Sequence, residues 1–221
     1  MMKLHNYFRS SASYRVRIAL YLKGIPFEYI PVHLIEDGGA QHTTVFRQRN
    51  PQSLVPVLED GAVVLSQSLV ILEYLEERYP NPSLLPKDSA LRAHARQIAL
   101  SIACEMQPLC NLRVLQYLST PLALPDAAKE GWSQHWLTLG LQALEAWMVR
   151  ADWRGKFCVG NEPGLADCCL IPQLFTARRF NIDLTAFPTL LEIEQHCQAL
   201  EAFQLAHPSC QPDTPTQSRH N

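Results

Sequence analysis

Ser10, Ser11 and Ser13 stand within four residues of one another, where a short apolar segment feeds into an amphipathic helix starting near Ser11. The first turn of a helix offers backbone N–H groups without intrahelical partners and the positive end of the macrodipole, so hydroxyls placed there border a site for an anion. A thiolate would be held well in such a place. The first cysteine of the chain is Cys104, so a sulfur nucleophile used here must arrive with a ligand. The same serines have an alternative use as helix caps, because a Ser oxygen satisfies one of the orphan N–H groups.

Two further segments could serve the same ligand. Leu54-Val55-Pro56-Val57-Leu58, Glu59-Asp60-Gly61 and Ala62-Val63-Val64-Leu65 read as two β-rich runs joined by a turn, an antiparallel hairpin. Pro56 interrupts the first run. Proline cannot donate to a ladder, so it demands an edge, a bulge or a cis bond, and it leaves the backbone of Val55 free for another partner. Gln67-Ser68 then precedes an apolar helix of about 69–79, placing an amide and a hydroxyl at a second helix start.

The elements that must position these residues follow from periodicity and punctuation. Residues 3–8 read as a strand, the first helix stops at Lys23-Gly24 before Pro26, and residues 27–32 form a second strand. So short a strand, helix and strand imply a right-handed crossover and a parallel pair. Residues 36–50 are polar and weakly periodic, a loop with an irregular helix. The order over residues 1–80 is βαβαββα. A proline-rich linker spans 81–88, and residues 89–207 read as an all-α domain with amphipathic runs at about 89–118, 126–151, 164–179 and 188–206, the first kinked at Pro108. Residues 208–221 read as an extended tail. Asp167, three residues after Gly164 at a helix start, reads as structural, its carboxylate taking up backbone donors.

Composition narrows the partners. The 221 residues are 47% hydrophobic with a formal net charge of -2, and no basic stripe favours nucleic acid or an anionic membrane. No apolar run is long enough to span a bilayer and no signal peptide stands at the N-terminus, so a cytoplasmic location is expected. The seven cysteines lack the short paired spacings of a zinc site or a C-x-x-C motif, so no metal is expected and the thiols are read as reduced.

The stretch Tyr7-Phe8-Arg9-Ser10-Ser11-Ala12-Ser13-Tyr14-Arg15-Val16-Arg17, together with Asn50-Pro51, Leu54-Val55-Pro56, Gln67-Ser68, Gln107-Pro108-Leu109, Ala177-Arg178-Arg179-Phe180 and Gln211-Pro212-Asp213-Thr214-Pro215, resembles the zeta class of cytosolic glutathione transferases nearly end to end. The resemblance implies a thioredoxin-like N-terminal domain joined to a C-terminal helical bundle, an α/β plus all-α fold. It implies glutathione as cofactor, a homodimer, and isomerisation of maleylacetoacetate to fumarylacetoacetate in aromatic amino-acid catabolism. Alternatives are a maleylpyruvate isomerase, or a transferase acting on electrophiles or α-halo acids. From a different class, a non-catalytic binding module stays open.

Position by position, the resemblance makes Ser10 the donor to the glutathione sulfur, assisted by Ser11. Ala12, Ser13, Tyr14 and Arg15 line the helix start, Val55 pairs its backbone with the cysteinyl unit beside a cis Pro56, and Gln67 and Ser68 hold the γ-glutamyl end. Gln41 is a further contact, and Gln107, Asn111, Leu112 and Arg113 match ligand-facing positions of the second domain. A substrate with two carboxylates calls for guanidinium forks, for which Arg9 and Arg179 are the candidates and Arg113 a third. A surface or interdomain salt bridge is the alternative use of each. Beyond its place in the helix-start motif, Arg15 shares with Arg17 an expected solvent or interdomain role. Ala12 departs from the family, which commonly has cysteine there; isomerisation survives this because its nucleophile belongs to glutathione, whereas side reactions through a protein thiol lose their residue.

Overall fold

The computed structural model describes residues 1–215. Strand β1 (Met2–Asn6) carries the buried Leu4 and ends two residues earlier than its apolar composition suggests, because Tyr7–Ser10 forms a turn closed by the Ser10 N–H donating to the Tyr7 carbonyl at 3.0 Å. Helix α1 (Ser11–Leu22) follows directly. Its end is set by Gly24, whose φ of +62° is a left-handed conformation that glycine adopts without steric cost. Strand β2 (Phe27–Pro31) pairs in parallel with β1, Met2 opposite Phe27. Two 3-10 turns and helix α2 (Thr44–Arg49), capped by the Thr43 hydroxyl, fill the expected irregular stretch.

Strands β3 (Val57–Asp60) and β4 (Val63–Ser66) form the hairpin, turning at Gly61 with φ +61°. The first strand is shorter than the run 54–58 suggests. Pro56 lies outside the ladder, joined to Val55 by a cis peptide, and pairing begins at the first residue that can donate. The four strands form one sheet of order β2-β1-β3-β4, with β3 antiparallel to β1, and helix α3 (Ser68–Arg78) follows β4.

The described residues divide into two units, 85–197 and a first unit that joins 1–84 to everything from 198 onward. The second unit is helical: α4 (Ser89–Leu100), a π turn over Ser101–Met106 and a 3-10 turn over Gln107–Cys110 where Pro108 interrupts the run, then α5 (Leu112–Ser119), α6 (Asp126–Arg150) and α7 (Leu165–Arg179). Helix α8 (Pro188–Gln198) is tied to α7 by a bidentate Arg178–Glu194 pair. Asp167 is buried and accepts from the N–H groups of Gly164 at 2.8 Å and Cys158 at 2.9 Å, while burial lifts its carboxyl above the usual range. Asp167→Ala strands both donors and is expected to cost about 2–4 kcal/mol, read from urea denaturation; a loss below about 0.5 kcal/mol, the range of ordinary surface substitutions, would contradict the role.

Two sequence expectations need correction. The short helices expected over 188–206 do not all belong to the helical domain: the last, α9 (Glu201–Ala206), packs on α1 in the first unit. Periodicity shows that a helix has an apolar face but not which core receives it. Residues 208–215 are likewise not an extended tail. Pro208–Cys210 make a 3-10 turn, Gln211 and Thr214 are buried, and Asp213 bonds to Phe8 and Tyr29. The rest of the expected tail, 216–221, lies outside the described residues.

Candidate functional site

Sheet topology explains how segments sixty residues apart reach one place. His5 near the end of β1 pairs with Val57 at the start of β3, and Val57 pairs with Ser66 at the end of β4. The chain leaving β1 toward Ser10, the chain entering β3 through Val55-Pro56, and the chain leaving β4 into Gln67-Ser68 therefore meet at the same end of the sheet. This end carries two helix N-termini and one unpaired stretch of backbone.

Ser10 caps α1: its Oγ accepts from the Ser13 N–H at 3.2 Å. The capping and chemical uses of this hydroxyl are compatible, because accepting occupies a lone pair and leaves the O–H proton for another acceptor. Ser11 and Ser13 are buried, Ala12 is partly exposed, and the Oγ of Ser13 has no hydrogen-bond partner among the described residues. Arg15 is 1% exposed and donates from Nη1 to the Ser68 Oγ at 3.2 Å, which ties the first turns of α1 and α3 together. Tyr14 is buried with its ring edge-on to His207. Arg17 is also buried, so neither arginine has the expected solvent role, and the bonds described for both lie inside the first unit.

The backbone of Val55 enters no backbone hydrogen bond among the described residues, whereas its side chain packs with Tyr7, Phe8, Val32 and Phe46. Asn50 and Gln52 shape this segment. Asn50 donates from its amide to the Leu54 carbonyl at 2.8 Å and accepts from the Gln52 N–H at 3.0 Å; Gln52 in turn accepts from the Gln67 amide at 2.8 Å. Gln67 holds φ +72° and ψ 113°, a conformation that costs a non-glycine residue roughly 1–3 kcal/mol. Strain of this kind persists where neighbouring contacts impose it, here at the turn from β4 into α3. Gln41 is buried and donates to the Leu34 carbonyl at 3.0 Å, while its Oε1 lacks a partner. Leu34 packs against the Val55 cluster, so Gln41 belongs to the same neighbourhood.

Among the described residues Arg9 forms no ion pair, and its guanidinium lies 6.0 Å from the Phe8 ring centroid beside Ser10. The remaining candidates lie in the second unit. Gln107 opens the 3-10 turn, Asn111 caps α5 by accepting from the Arg113 N–H, and Leu112 and the exposed Arg113 begin that helix. Arg179 is exposed in the last turn of α7, 5.8 Å from the Phe180 ring centroid.

All seven cysteines are free, and burial pushes the Cys110 thiol up to about 11 and raises Cys158 and Cys197 as well. These thiols resist forming the anion. Among the described residues no three His, Cys, Asp or Glu side chains gather as a metal site, and no helix is long and apolar enough to cross a membrane. Asn50, Gln52 and Asp213 are residues near this site that sequence reasoning left without a role, and Arg17 is one to which it gave a solvent or interdomain role. Their signal was present: Asn50, Arg17 and Asp213 all fall inside quoted motifs, but a motif does not say which atoms meet.

Residues 4–83 match the family model described as "Glutathione S-transferase, N-terminal domain". The chain is 47% identical over 216 residues to the maleylacetoacetate isomerase of Rattus norvegicus, covering 98% of this chain and 96% of the rat protein. A solved maleylpyruvate isomerase, described as a bacterial glutathione S-transferase of the zeta class, superposes with a TM-score of 0.93 at 43% identity, covering 96% of this chain and 100% of the other. The maleylacetoacetate isomerase of Methylobacterium extorquens AM1, solved with bound malonate and glutathione, gives 0.93 at 40% identity, covering 97% of this chain and 100% of that one.

Proposed function

The chain belongs to the zeta-class glutathione S-transferases, and from that premise we propose that it is a glutathione-dependent cis–trans isomerase converting maleylacetoacetate to fumarylacetoacetate. The observation that carries the reading is the junction of Ser10, the free backbone of Val55 and the strained Gln67-Ser68 turn at one end of the sheet.

These residues fit glutathione. The backbone N–H and C=O of Val55 suit an extended peptide laid alongside, as in strand addition. The oxygens of Ser13 and Gln41, which have no hydrogen-bond partner among the described residues, suit a ligand's polar groups. Ser68, steadied by Arg15, and the N-terminus of α3 suit a carboxylate. When bound, glutathione supplies a thiol sulfur that adds reversibly to the conjugated cis alkene, so that the bond can rotate before the sulfur leaves.

The task of the protein is to keep that sulfur anionic. A thiol of pKa about 8.5 must fall by about two units to be mostly thiolate at neutral pH, roughly 2.7 kcal/mol. A helix N-terminus contributes about 0.3–1 kcal/mol and a hydrogen bond to a charged group about 1.5–3, so the hydroxyl of Ser10 is the larger effect. Ser11, in the first turn, adds a polar group beside it. Arg9 stands next to Ser10 with its guanidinium open to a substrate carboxylate. Arg9→Leu is expected to raise the KM for the dicarboxylic substrate about 10- to 100-fold with little change in glutathione affinity, the value of one charge-assisted bond; steady-state kinetics check this, and an unchanged KM removes Arg9 from the site. On the family resemblance, Arg179 and Arg113 are proposed as further carboxylate-binding residues, and Gln107, Asn111, Leu112 and Arg113 as glutathione contacts.

Two substrates compete, because the maleylpyruvate isomerase structure is as similar as the maleylacetoacetate one. The ultraviolet spectra of both keto acids, followed with and without glutathione, separate them. Release of trans product with glutathione conserved supports isomerase activity; net consumption of glutathione identifies a transferase instead. The reading also has the protein work in the cytoplasm as a homodimer. Free thiols suit a reducing compartment.

A further inference from the structure

The turn Tyr7–Ser10 is held by the far end of the chain. Phe8, at its centre, has both backbone polar groups engaged by charged side chains: its N–H donates to the Asp213 Oδ2 at 3.0 Å, and its carbonyl accepts from the Arg17 Nη2 at 2.9 Å. The Tyr7 carbonyl accepts from the Ser10 N–H at 3.0 Å and from the Arg17 Nη1 at 3.4 Å. Arg17 also donates to the Asn6 Oδ1 and the Ala206 carbonyl, each at 3.0 Å, so one guanidinium joins the end of β1, the turn and the C-terminal end of α9. Asp213 is held in turn by the Tyr29 hydroxyl on β2. Its segment is braced by the Gln211 amide, which donates to the carbonyls of Leu205 and His207 at 2.8 Å, and by the Thr214 hydroxyl on the Pro208 carbonyl.

A guanidinium with 0% exposure and, among the described residues, no carboxylate within ion-pair distance is an expensive way to stabilise a fold. Burial pulls Arg17 down to about 10, with Tyr29, Tyr14, Asp213 and Tyr21 opposing that fall. Hydrophobic packing of α9 on α1 would join the chain ends without any of these groups. What the charged groups add is direction: they fix the main chain of Tyr7 and Phe8, and with it the residue that follows Arg9.

We propose that Arg17 and Asp213 are positioning residues for Ser10, the C-terminal segment serving as a clamp that aims the Ser10 hydroxyl at the sulfur. The inference rests on the reading of Ser10 given above. Gln211 and Thr214 keep the clamp closed, and Tyr29 fixes the carboxylate that grips Phe8.

The test is the pKa of the thiol of bound glutathione, read from the ultraviolet thiolate absorbance across pH, in the full-length protein. Asp213→Ala is expected to raise it by about one unit, which from a value of about 6.5 is a roughly threefold loss of thiolate at pH 7, with a similar fall in kcat and little change in glutathione affinity. Asp213→Asn is expected to restore most of the difference, because the amide oxygen accepts from Phe8 while its N–H donates to the Tyr29 oxygen. Lys23→Met is the control for general loosening: it breaks an equally buried cation in the same unit, on Glu76, Tyr79 and Pro82, and should leave the thiol pKa alone. Should Asp213→Ala fail to fold, Tyr29→Phe, which removes one tether of the carboxylate, is expected to give a smaller rise in the same direction. An unchanged thiol pKa in whichever of these two variants folds, or an equal rise in Lys23→Met, overturns the proposal. Ser10→Ala tells its failure from that of the parent reading: if that variant raises the thiol pKa and the clamp variants do not, only the clamp is wrong, and if it too has no effect, the role of Ser10 is wrong.

Discussion

Ser10→Ala is expected to lower turnover about 10- to 100-fold while glutathione still binds, because the lost hydrogen bond is one to a charged sulfur, worth about 1.5–3 kcal/mol. The same change removes the cap of α1 and costs about 1 kcal/mol of stability. Ser10→Asp separates the two effects. A carboxylate caps a helix at least as well as a hydroxyl, so stability should return, but it carries no proton to donate at neutral pH and repels a neighbouring anion, so turnover should fall further than in the alanine variant. Steady-state kinetics and thermal unfolding on the two variants check this. Activity recovering together with stability would mean that Ser10 is only a cap.

Arg17→Met should have a large effect on the stability of the first unit. The methionine fills part of the volume, but the carbonyls of Phe8 and Ala206 and the side-chain oxygen of Asn6 lose their donor inside the protein. Each stranded acceptor costs about 1–3 kcal/mol, and with partial relaxation the sum is expected at about 3–5 kcal/mol. For a chain of this size that lowers the unfolding midpoint by about 10 °C. A scanning-calorimetry shift under about 2 °C would show that α9 and the turn are held by packing alone.

Much of the first unit was legible in the sequence because its signals are local. A hydroxyl before an apolar-periodic run, Gly24 before Pro26 and an Asp-Gly turn each fix one boundary through backbone sterics. The cost of placing Pro56 in a ladder was visible as well; local rules left an edge, a bulge or a cis bond open, the resemblance implied the cis bond, and the structure has it, with pairing deferred to Val57. The destination of α9 and Asp213 was not legible. Long-range burial decides it, and Arg17 within a helical pattern looks like any solvated arginine until Phe8, Asn6 and Ala206 surround it. Arg15 misled in the same way, since its partner Ser68 lies 53 residues on. The chemical residues were easier to find than their supports, because the helix-start hydroxyls act through neighbours in sequence and the supports act across the fold.

On this mechanism the sulfur that does the chemistry is borrowed from glutathione. S-methylglutathione keeps the peptide contacts and blocks the sulfur, so the most direct measurement is isomerisation of maleylacetoacetate by the purified protein with glutathione and with its S-methyl analogue. The account predicts rapid formation of the trans keto acid in the first case and only the background rate in the second. Equal rates with the two peptides would contradict it.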